Sequence, residues 1–193
     1  MRRSAREQQF LFDDVVFSTI ALFDYLGNTV GFYFYGDRRR KAKWDRIQRY
    51  ARDAEFDLKD HKHPRIGGSE LGVLIARTHK DFVAPLSDYR ADLIHYETLP
   101  AGGGVSTNMQ QNARGSFDLS FELTITVPKP FARRFTVPGY EADPSKATLP
   151  IASQWLINEL HRLATGILRE LERDMRREGG GDPDGDDRVI FMS

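Results

Sequence analysis

Ser87-Asp88-Tyr89-Arg90-Ala91-Asp92-Leu93-Ile94-His95-Tyr96 reads as the start of a helix. Pro85 ends the preceding helix or sits in a first turn, and Ser87 is a good N-cap whose hydroxyl accepts from the amide of Tyr89 or Arg90. Arg90 then falls in the first turn, beside unpaired amides that favour an anion. At roughly 100° per residue, Asp88, Ala91, Asp92 and His95 share one face, and Leu86, Tyr89, Leu93 and Tyr96 share another. Asp92 sits where its carboxylate can bond the His95 imidazole. Arg90 lies roughly 140° around the helix from His95, so the two meet through the long reach of arginine or across a second subunit.

Working outward, the spacing predicts a mainly α chain of about five helices. Residues 5–35 form a long amphipathic helix with Phe12, Val15, Val16, Thr19, Phe23, Leu26 and Val30 on one side. Its far side carries Phe10, Phe17, Phe32 and Phe34, as expected of a central helix or a subunit interface. Gly27 and Gly31 allow a close helix approach. Gly36 to Lys41 is a turn with four consecutive cations, Arg38, Arg39, Arg40 and Lys41, a solvated loop or a phosphate-backbone contact. A second helix is predicted over 42–57, with Trp44, Ile47 and Tyr50 inward. A third runs over 69–83, capped by Ser69, with His79 facing solvent. The motif helix runs over 87–98 and stops at Pro100. The last helix opens at Pro150 and runs to 178.

Between them, 101–115 reads as a polar, glycine-rich loop. Phe117, Leu119, Phe121, Leu123, Ile125 and Val127 then alternate with polar residues, a strict period of two that marks a strand. Phe131, Phe135 and Val137 suggest a returning strand, giving an inserted hairpin over about 116–138 before the last helix. Residues 1–178 make one helical domain. Residues 179–193 are an acidic disordered linker and a short apolar tail.

Lysine plus arginine equals aspartate plus glutamate, 28 each, so a nucleic-acid site must be a local basic patch. There is no cysteine, which excludes disulfides, thiol catalysis and cysteine-ligated zinc. His61 and His63 lack a third ligand, and Asp182, Asp184 and Asp186 lack the glycine and closing glutamate of a calcium loop. No metal and no cofactor are expected. Asp13, Asp14 and Asp24 interrupt the first apolar stretch, so no membrane span is expected and a cytoplasmic location is the default.

The Arg90-x-x-x-x-His95 spacing, set among these helices, resembles the motif of HEPN domains (higher eukaryotes and prokaryotes nucleotide-binding). The likeness covers about residues 5–98 and 150–178. It implies a HEPN-like helical bundle that pairs as a homodimer, with both motif copies lining one cleft. It implies a metal-independent endoribonuclease, a hydrolase of toxin–antitoxin or defence systems, cutting RNA to a 2′,3′-cyclic phosphate. Arg90 and His95 would be catalytic, Asp88, Asp92 and Tyr96 supporting, and a cognate antitoxin protein a further partner. The alternative is a non-catalytic dimerisation or nucleotide-binding module, or a structural interaction protein, in which Asp88 and Asp92 simply neutralise Arg90.

Overall fold

The computed structural model describes residues 5–35, 43–53, 66–95, 103–111 and 117–179, with the backbone alone at 5, 35, 95, 103–111, 117–123, 178 and 179. Helix α1 (Ala5–Tyr35) is the centre of a mainly helical bundle. It packs on the last helix, α6 (Leu149–Gly179), and on α2 (Trp44–Arg52), and it touches the motif helix. Phe12, Val16, Phe23 and Val30 recur at helical spacing and are buried, as the periodicity requires. By length and composition Arg6–Phe34 is sufficient to cross a membrane, contrary to the expectation that no span reaches that length. In this fold one of its sides is spent on the core.

Gly27 lets α2 meet α1 closely: a Cβ there would lie 2.6 Å from the Trp44 backbone nitrogen. Helix α2 has no side-chain cap of its own. Asp24 of α1 takes that place, accepting from the Trp44 amide at 3.3 Å. Trp44, Ile47 and Tyr50 are all buried, so neither aromatic is a stacking platform.

Ser69 caps α3 (Glu70–Thr78) as expected, accepting from the Gly72 amide at 2.9 Å. The chain then departs from its predicted course. Helix α3 does not stop before Pro85. It widens into a π turn (His79–Val83) and continues as α4 (Ala84–His95), a single run from Glu70 to His95. Within the turn the Ala84 amide bonds to the His79 carbonyl, five residues back. Pro85 has no amide to donate, and its ring would strike the carbonyl four residues earlier in a regular helix. The widened turn just ahead of it relieves both problems.

The expected hairpin is also corrected. Strand β2 (Phe117–Ile125) is where the alternation put it, but its partner is upstream. Strand β1 (Gly103–Gln111) pairs antiparallel with it, from Gly103 opposite Ile125 to Gln111 opposite Phe117. The stretch read as a loop is therefore partly strand, held through backbone bonds that its polar composition concealed. Residues 131–137 are no strand. Pro128 is extended, and Lys129–Ala132 form one turn, α5, with Pro130 at its start. Phe131 and Phe135 are four apart, so a helical turn puts both inward. Phe131 meets Phe12 at 5.1 Å, Tyr89 at 5.3 Å and Phe135 at 4.9 Å between ring centroids.

Candidate functional site

The continuous helix changes the meaning of the motif. Ser87 is a mid-helix residue rather than an N-cap, and Arg90 sits in helix interior, where the amides are already bonded along the helix. Any anion affinity must come from the guanidinium itself.

Arg90 is half-buried. Its guanidinium lies 5.2 Å from the centroid of the Phe17 ring on α1. Its Nε is buried and donates to nothing, and the side chain forms no ion pair among the described residues. Asp92 does not neutralise it. The Asp92 carboxylate pairs at 2.9 Å with Arg134, whose other terminal nitrogen donates to the Pro130 carbonyl. The Asp92 carboxylate thereby ties the motif helix to α5. Asp88 is exposed and stands at the rim of the cleft described below.

His95 is the last residue of α4; its imidazole lies outside the described residues, as do Tyr96 and the cations Arg38, Arg39, Arg40 and Lys41. His61 and His63 are outside them too. Five residues of helix separate His95 from Arg90 by roughly 7.5 Å along the axis. Among the described residues no group of three histidine, aspartate or glutamate side chains is placed to hold a metal.

Arg90 opens onto a cleft of 460 Å³ where α1, the start of α2 and the long helix meet. Ile20 and Phe23 line its apolar side, and Lys43, Asp24, Ser87 and Asp88 its polar side. His79 lines it as well. Periodicity predicted a solvent-facing His79, but its contact with Trp44 of α2 leaves it half-buried. The Trp44 indole N–H donates to its Nδ1 at 3.3 Å. That bond needs a lone pair on Nδ1, so it holds the ring neutral with its proton on Nε2. Burial pushes the His79 pKa down, Arg52 adds to the shift, and Asp45 opposes it.

The opposite side of the helix is closed. Tyr89 is fully buried and its hydroxyl has no partner among the described residues. Burial, and then the charges of Asp13 and Asp92, push its pKa up. Asp13 is also raised by burial, although the Gln9 amide donates to it at 2.9 Å.

No family model matches the chain, and neither a curated protein nor a solved structure is significantly similar to it. The fold and site define a mainly helical bundle with an unpaired arginine and a neutral histidine at one cleft.

Proposed function

We propose that the chain is a metal-independent endoribonuclease of the HEPN kind, a toxin or defence effector that acts on cytoplasmic RNA as a homodimer. The observation that carries this reading is Arg90. Its charge forms no ion pair among the described residues at the mouth of a cleft, while Asp92, two residues on, is committed to Arg134. A guanidinium with free N–H groups is a fork for phosphate.

In the reaction a base takes the proton from a ribose 2′-hydroxyl. The 2′-oxygen bonds to phosphorus, the bond to the 5′-oxygen breaks, and an acid protonates the leaving oxygen. His95 does the proton work and Arg90 holds the charge that builds on the phosphorane. The homodimer reading rests on the outer side of α1, where Phe10, Leu22, Tyr25 and Phe32 are exposed, with Phe10 at 71%. A cognate antitoxin would compete for the same face.

A non-catalytic nucleotide-binding module is the second reading. It draws support from the continuous helix, which leaves Arg90 without the unpaired amides of a helix N-terminus to help stabilise a phosphorane. The test is incubation of labelled single-stranded RNA with the purified protein in EDTA. Cleavage to a 2′,3′-cyclic phosphate is expected, and Arg90→Ala and His95→Ala should each slow it by about a hundredfold or more. A folded protein that cuts no RNA, or cuts only with a divalent ion, selects the second reading.

A further inference from the structure

His79 has a second neighbourhood. Beyond it, an open groove of 600 Å³ runs between the end of α2 and the π turn, lined by Arg52, Arg77, Lys80 and Asp81. Asp81 is answered by Arg77 at 3.5 Å. Arg52 and Lys80 are exposed and have no carboxylate partner among the described residues. Among the described residues two cations are therefore uncompensated within one concavity, on helices that pack together.

The groove and the cleft share His79 and Ala84 in their linings, so the two hollows are neighbours. Their charge differs. In the cleft Lys43 and Arg90 face Asp24, Asp45 and Asp88, a mixed surface that suits one phosphate together with a base bearing amino groups. The groove has an excess of positive charge and suits a run of backbone.

We infer that the groove is a seat for the phosphate backbone of single-stranded RNA, with Arg52 and Lys80 as its cations, and that the strand passes His79 to reach Arg90. This step rests on the reading of RNA as the substrate. Lys80 and Arg90 are separated by roughly 15 Å of helix, a span of a few nucleotides. A flexible strand enters a concave groove of this kind, whereas a flat anionic bilayer meets only its rim. A phosphate beside His79 would also favour the protonated ring, so binding should draw a proton into the complex.

The experiment measures binding apart from cleavage. A fluorescein-labelled 2′-O-methyl oligouridylate has no 2′-hydroxyl to attack and reports affinity by anisotropy. The Arg52→Gln/Lys80→Gln variant should bind it roughly ten- to thirtyfold more weakly at moderate salt, with the slope of log affinity against log salt lower by about 1.4. Lys146→Gln, a remote exposed cation, should leave both unchanged. Melting by circular dichroism checks the fold, and the two single variants serve if the double one is unstable. Unaltered affinity and slope would overturn the groove, as would a parent that does not bind the oligomer at low salt. Equal dependence on Arg52 and Lys80 for polyglutamate or phosphatidylserine vesicles would overturn its assignment to RNA. Should the oligomer bind as described while natural RNA stays uncut, the groove stands and the endoribonuclease reading falls. Should RNA be cut with the double variant's affinity intact, the reverse holds.

Discussion

Arg90 and Asp92 are two residues apart on one helix, yet they belong to opposite kinds of surroundings. Asp92 lies on the side that packs against α5, and its charge is met by Arg134 at 2.9 Å. Close by, Tyr89, Phe12 and Phe131 form an aromatic junction. Arg90 lies on the side that opens between α1 and α2, and its Nε has no acceptor among the described residues. One side has used its polar groups to close the bundle. The other has kept a charge, a neutral histidine and a hollow. An unpaired buried donor costs about 1–3 kcal/mol, so an arginine left in that state is a place where stability has been given up. A ligand that supplies the acceptor recovers it.

The strongest test of the closed side is Phe131→Ala. The ring is fully buried among Phe12, Tyr89 and Phe135. Its removal should cost about 3–5 kcal/mol in urea unfolding. A loss below about 1 kcal/mol would mean that α5 is not a fixed part of the core.

Next in size is the contrast between the two arginines. Arg134→Ala leaves Asp92 without its partner and should cost about 1 kcal/mol, because both side chains are partly exposed and the pair is screened. Arg90→Ala gives up its contact with the Phe17 ring but removes an unsatisfied donor, so its effect should stay within about 0.5 kcal/mol. If the order is reversed, Arg90 is a structural residue and the open side loses its claim to function.

Much of the closed side was readable in advance. The apolar stripe of α1, the Ser69 cap and the inward faces of Trp44, Ile47 and Tyr50 follow from period and cap chemistry. The open side was read less well. Pro85 signalled a break, because a proline ring is incompatible with a regular helix, and nothing in the sequence announces that a π turn will absorb it. That turn removed the N-cap from Ser87, and packing against Trp44 of α2, which helical period does not report, placed His79 at the cleft. The partner of β2 escaped for a different reason: Gly103 to Gln111 contributes backbone pairing with few apolar side chains, and alternation reports only apolar ones. Phe131 and Phe135 were assigned to a strand although their spacing of four is helical.

Tyr89→Phe should change little. The hydroxyl is buried and unpartnered among the described residues, so its removal should be neutral or stabilising by up to about 1 kcal/mol. A clear loss would show that the hydroxyl has a partner in solution, with Asp13 and Asp92 the nearest charges.

The smallest effect concerns His79 and separates the two sides by pH. Its folded pKa lies below the ordinary histidine value of 6.5, chiefly through burial. In the interval from that ordinary value down to the lowered one, the unfolded chain binds a proton that the folded chain refuses. Stability must therefore fall as pH falls through the interval, and rise again as pH is raised through it. The Trp44 bond works in the same direction, since protonation at Nδ1 would remove its acceptor. His79→Gln retains an acceptor for the indole and removes the titration. Urea midpoints taken across this interval should depend less on pH in the variant than in the parent. Protonation of Asp13, which burial raises, acts with the opposite sign and is common to both proteins, so the difference isolates His79. Identical pH profiles would mean that His79 titrates as in the unfolded chain, and that the cleft does not hold it neutral.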